Sequence, residues 1–86
     1  VTDLATIERA LAEHITNEIL LRKTPLGPTE DLFAAGFDSM SLSRVLVFVE
    51  ERFAVAIPDE DVVLDEVSNL EAMAQFVLGY VAKAGG

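Results

Sequence analysis

Apolar residues that recur every three or four positions constrain this chain more than any other feature. Leu4, Ile7, Leu11, Ile15 and Ile19 fall on one face of a helix drawn from about Asp3 to Arg22, with Glu8, Glu13 and Asn17 opposite. Leu42, Val45, Leu46, Val49 and Phe53 make a second stripe, and Leu70, Met73, Ala74, Val77 and Val81 a third. No alternation of strand period and no internal repeat competes with them, and the β-branched cluster Val45–Val49 keeps the helical period. In 86 residues, 51% of them apolar, these stripes have only one another to pack against. The expected fold is all-α, a single domain over residues 1–86, too small for a large multi-site enzyme.

The breaks between stripes set the expected boundaries. Arg22 and Lys23 suit the carbonyl end of the first helix and Pro25 forbids continuation, so that helix is expected to stop near Lys23. Pro25, Gly27, Pro28 and Gly36 then predict a long loop from Thr24 to Phe37, with one helical turn capped by Thr29 and with Leu32 and Phe33 packing it down. Asp38 is typed as the N-cap of the second helix, and Gly36 before it allows a sharp turn into that helix. Pro58 followed by Asp59, Glu60 and Asp61 reads as the acidic first turn of a short third helix. Ser68 with Glu71 fits a capping box that opens the last helix. The expectation is a four-helix bundle of three long helices and one short third helix, with a long loop between helices one and two. The end, Ala84-Gly85-Gly86, is expected to fray, and Val1 in place of an initiator Met points to a trimmed chain or to a segment of a longer one.

Charge and composition narrow the partners. Fifteen acidic residues against six basic ones give a net charge of −9, which repels nucleic acid and anionic lipid alike. Apolar runs such as Val45–Val49 fall far short of the ~20 residues of a membrane helix, and no basic segment leads into an apolar stretch at the amino end. Neither nucleic acid nor membrane is expected as a partner, and the expected location is cytoplasmic. With no cysteine, neither a disulfide nor a Cys-ligated metal can brace the fold, and any thiol chemistry must come from a cofactor. Asp59, Glu60, Asp61, Asp65 and Glu66 lack the Gly and terminal Glu of an EF-hand and read as a solvated acidic face, so no metal site is expected. His14, the single histidine, reads as a solvated helical residue. A hydrolase would need it turned toward a serine that its spacing does not favour, so no catalytic residue is expected. Met73 is assigned to the core and Met40 to the surface.

One segment could carry chemistry. Gly36-Phe37-Asp38-Ser39-Met40 places a hydroxyl at the first exposed turn of a helix, directly after a long loop, where another protein can reach it. A phosphate esterified to Ser39 would sit beside free N–H groups and the positive end of the helix dipole. The same residues also suit a helix that merely starts with Asp-Ser, and taken alone they leave both readings open.

That segment is followed by Leu42, Val45-Leu46, Val49-Glu50-Glu51-Arg52-Phe53 and Ile57-Pro58-Asp59-Glu60, and preceded by Asp31-Leu32-Phe33. The combination resembles the acyl carrier and peptidyl carrier protein family over nearly the whole chain. The resemblance implies a four-helix bundle whose Ser39 is modified with 4′-phosphopantetheine, an arm ending in a thiol that holds acyl or aminoacyl groups as thioesters. It implies a role for Asp38 in transferase recognition as well as capping. The implied partners are a phosphopantetheinyl transferase and the loading and downstream biosynthetic enzymes, with the carrier itself a monomer. The lack of cysteine is consistent, because a second thiol could compete for the activated group.

Three positions depart from the family's common pattern: Met40 stands where Leu is frequent, Ser41 and Arg44 where fatty-acid carriers are often acidic, and Ala54 where Gly usually follows Phe53. An Ala in a left-handed position costs on the order of 1 kcal/mol, so the second helix is expected to end differently here. Met40, Arg44 and Val47, with Glu51 a turn further on, are the expected partner-binding residues. Their reduced acidity points to specialised polyketide or nonribosomal peptide metabolism. The alternatives are an unmodified helical interaction module or, within the family, a fatty-acid or D-alanyl-type carrier.

Overall fold

The structure, a computed structural model, describes residues 3–85 and all side chains among them but those of residues 59 and 84. These residues form three helices and two 3-10 turns, with no strand among them. α1 is Leu4–His14, prolonged by a π-helical turn over Ile15–Ile19; α2 is Ser39–Phe53; α3 is Leu70–Gly85. The all-α expectation holds. The three stripes meet in one core, where Ile7, Leu11, Ile15, Val45, Val49, Leu70, Met73 and Val77 are almost wholly buried and Leu4, Ile19, Phe53 and Val81 close its margins.

The first helix ends earlier than Pro25 dictates. From Ile15 the ladder widens, with the Leu20 N–H donating to the Ile15 carbonyl at 2.8 Å and the Arg22 N–H to that of Thr16 at 3.1 Å. Leu21 then turns into the left-handed region at φ 53. The helix closes on its own last carbonyls, so Arg22 and Lys23 lie outside it rather than in its final turn. Arg22 instead fastens the connection that follows, donating to both carboxylate oxygens of Glu30 at 2.8 and 3.4 Å and to Thr24.

That connection is built differently from the expected Thr29-capped turn. The capping group is Asp31, whose carboxylate accepts from the Phe33 N–H at 3.0 Å and opens a turn over residues 32–36. Leu32 is fully buried, and Phe33 is half-buried, edge-on to Phe37 at 5.6 Å. The turn closes through Gly36 at φ 110, a conformation open to glycine and hardly to any other residue.

The short third helix is absent. Asp59–Asp61 and Leu64–Val67 are separate 3-10 turns with extended backbone at Val63 between them. So short a segment cannot offset the cost of nucleating an α-helix. Its shape comes from anchors: Val67 in the core, and the Tyr80 hydroxyl of α3 donating to Asp61 at 2.7 Å. The expected Ser68–Glu71 capping box is also replaced. Asn69 caps α3, accepting from the Ala72 N–H at 2.8 Å, because the Ser68 hydroxyl is turned back to the Asp65 carbonyl. Ala54 does take the left-handed position, at φ 56 and ψ 46, so the expectation that α2 would end differently is corrected: it ends at a left-handed residue although that residue is not glycine. The fraying expected of residues 84–86 falls at the limit of the description, since Gly86, like Val1, lies outside the described residues.

Two measurements check these assignments. Ala54→Gly removes the left-handed strain and is expected to stabilise the fold by about 0.5–1 kcal/mol, read from urea denaturation at unchanged slope. Asn69→Ala is expected to cost about 1 kcal/mol and Ser68→Ala much less, the reverse of what a Ser68 capping box requires.

Candidate functional site

Every residue that the sequence singles out for function stands on α2 or at its start. Asp38 precedes the helix in extended conformation, and its carboxylate accepts from the Ser41 N–H at 2.8 Å. That bond, with a smaller contribution from the Met40 N–H, holds the Asp38 carboxyl below the usual carboxylate range and keeps it ionised. Ser39, the first residue of α2, is exposed, and no protein acceptor or donor engages its hydroxyl among the described residues. Its own carbonyl accepts from the Ser43 hydroxyl at 3.3 Å one turn on. The sequence around it explains this exposure: Phe37 and Leu42 are buried on either side, which leaves residues 38 to 40 turned toward solvent and Ser41 half-buried.

Met40 is 79% exposed and Val47 55% exposed, and Arg44 and Glu51 are exposed with them. Spacings of four, three and four put all four on one side of α2. This is a run of apolar and mixed-charge side chains that the core does not need. Between it and α1 lies an open groove of about 330 Å³ lined by His14, Glu18, Arg44, Val47, Phe48 and Glu51. His14 and Phe48, both in this groove, correct an expectation. The imidazole is not a solvated surface group but lies half-buried and flat on the Phe48 ring, with centroids 4.0 Å apart. Burial there pushes its pKa below the usual 6.5. Phe48 follows Ser39 by nine residues, about 13 Å along a helix, so the histidine does not stand where it could take a proton from that serine. Phe48 and Glu18 were invisible as groove residues in the sequence, because they meet His14 and Arg44 only across a helix–helix contact.

Among the described residues no group of three or more His, Asp or Glu side chains is placed to hold a metal ion, and no helix is long and apolar enough to cross a membrane. The site is thus a reachable hydroxyl at a helix start, next to the ionised Asp38 carboxylate and beside an exposed helix face.

Neither curated proteins nor solved structures yielded a match to this chain. A family model described as "Phosphopantetheine attachment site" matches residues 9–77, well over half of the chain, and runs from within α1 through the connection and α2 into the first half of α3. Domains of this kind are not enzymes. They hold substrates on a covalently attached 4′-phosphopantetheine arm and work with a phosphopantetheinyl transferase and biosynthetic enzymes. The all-helical fold is consistent with that match, and the chain belongs to the phosphopantetheine-binding family of acyl and peptidyl carrier proteins.

Proposed function

We propose that Ser39 carries the arm, and the observation that supports this best is its position as the exposed first residue of α2, directly after the Asp38 cap. When bound, the arm supplies a thiol on a flexible tether, on which acyl groups ride as thioesters. The chain's own residues set the conditions for it. The helix dipole favours negative charge at this end, while the Asp38 carboxylate already occupies the first-turn amides. A phosphodiester on Ser39 therefore faces solvent rather than nesting in the backbone, and the arm leaves the protein freely. Asp38 presents a fixed, ionised carboxylate next to the modified oxygen, which suits recognition by the transferase.

Met40, Arg44, Val47 and Glu51 form the surface on which partner enzymes dock, since they make one exposed side of α2 that begins beside Ser39 and contribute little to the core. With Arg44 and Ser41 in place of further acid, this surface suits partners other than fatty-acid enzymes, and we assign the cargo to small acyl or aminoacyl units of polyketide or nonribosomal peptide biosynthesis. The carrier acts as a cytoplasmic monomer, its charge of −9 keeping copies apart.

Incubation with a phosphopantetheinyl transferase and coenzyme A, followed by intact mass measurement, is expected to add one arm to the wild type and none to Ser39→Ala. The variant's stability should stay within about 0.5 kcal/mol, because Asp38 keeps the cap. Loading of Ser39→Ala would move the site elsewhere, and a wild type that is never loaded would favour the plain interaction module. For the docking surface, Met40→Asp or Val47→Asp is expected to slow acyl transfer with the cognate enzyme roughly 5- to 150-fold, corresponding to about 1–3 kcal/mol at an interface centre. Arg44→Glu should weaken the cognate partner and improve recognition by a fatty-acid synthase enzyme. Transfer rates unchanged for both enzymes would take Arg44 out of the interface and the pathway assignment with it.

A further inference from the structure

The three helices are not joined in the same way. α1 lies closely against α3, whereas at His14 it meets α2 through large side chains. There the imidazole stacks on Phe48 with an angle of 6° between the planes. One turn further along α1 and one turn back along α2, the carbonyl of Glu18 accepts from Nη2 of Arg44 at 3.4 Å. That carbonyl is available because the π turn ends the helix just beyond it, and among the described residues no loop amide donates to it. A bond of this length is weak by itself, so it lasts only while the two helices keep their spacing. The neighbouring stack lies one turn away on each side of the join.

Charged groups line the two grooves that His14 borders: Arg9 and Glu13 on α1, Glu18 on the π turn, and Arg44, Glu51 and Arg52 on α2. Burial of the ring favours the neutral form most, with Glu18 opposing and Arg44 reinforcing it. A folded ring that binds a proton less readily than an unfolded one adds stability that is whole above pH 6.5 and is lost as the pH falls through its lowered folded value.

We propose that His14 is a positioning residue for the docking side of α2: neutral and stacked on Phe48, it holds α1 and α2 at the spacing that keeps Arg44 on the Glu18 carbonyl, and a proton on the ring loosens that join and frees Arg44. The inference rests on the reading of this side of α2 as the partner surface. No substrate or arm chemistry enters it. A change in pH would alter which Arg44 conformation a partner meets.

Nuclear magnetic resonance titration of the full chain tests the join without any partner. In the wild type, the His14 ring is expected to titrate below 6.5, and the α2 amides from Arg44 to Phe48 should shift with the same midpoint. Phe48→Leu should bring the ring back toward 6.5 and shrink the α2 shifts. His14→Phe keeps an aromatic ring against Phe48 and should abolish the step while retaining the fold. An ordinary ring midpoint with α2 shifts that do not follow it would overturn the proposal, as would the same step persisting in His14→Phe. The ratio of wild-type to His14→Phe transfer rates, taken from about pH 7.5 down to about 5.5, should change across the ring's midpoint. A constant ratio alongside coupled shifts overturns the partner-surface reading and leaves the join standing. Uncoupled shifts overturn the join whatever the transfer rates do.

Discussion

Burial of Leu32 ties together the parts of this protein that the helices alone would leave apart. Its side chain is wholly enclosed, its N–H donates to the Ser68 carbonyl at 2.8 Å, and its own carbonyl accepts from Phe37 at 3.0 Å. One residue of an irregular segment thus reaches the core, the start of α3 and the start of α2. A second backbone bond, from Glu71 to the Pro28 carbonyl, repeats the attachment to α3. Burying a leucine contributes about 1.5–3 kcal/mol, enough to make the path of the connection between α1 and α2 definite rather than one of many. The direction in which Asp38 and Ser39 leave that connection follows from it.

Helix ends carry most of the backbone strain. Leu21 and Ala54 both adopt positive φ where glycine is the easy choice. Ala54 is tolerated because Val55 and Ile57 are buried immediately after it and the Glu50 carboxylate accepts from the Ile57 N–H at 3.3 Å. The chain must turn there to bury them, and the turn outweighs the cost of a Cβ in the left-handed region. Leu21 follows a π turn that has already closed off the last carbonyls of α1. The turn also leaves the Glu18 carbonyl facing α2, where it meets Arg44.

The carrier role asks little of this chain beyond position. It needs a serine that a transferase can approach, a helix side that enzymes can read, and an absence of competing chemistry nearby. α2 buries Leu42, Val45, Leu46 and Val49 on one side and leaves Met40, Arg44 and Val47 exposed on the other, the side we propose for docking.

The helical stripes, the Asp38 cap and the exposure of Ser39, Met40 and Val47 were all legible in the sequence, because each depends on residues within a turn or two of one another. The chemistry of that segment became legible only through the family pattern around it; Asp-Ser by itself starts many helices. What the sequence could not carry were outcomes decided by distant partners. Pro25 was the strongest local stop, yet α1 ended before it once Ile15 and Thr16 were drawn into the core through a π turn. Ser68 had the better capping spacing, but its carbonyl was claimed by Leu32 and its hydroxyl by Asp65, so Asn69 took the cap. The acidic run after Pro58 had helix-starting chemistry, and Val67 and Tyr80 held it in two shorter turns. His14 read as a surface residue until α2 laid Phe48 against it. Local periodicity and capping set which segments are helical and which way α2 faces, because those energies are collected within the segment. Where each helix stops, and what its last turn touches, was settled by contacts between residues tens of positions apart, which exist only once the core has formed.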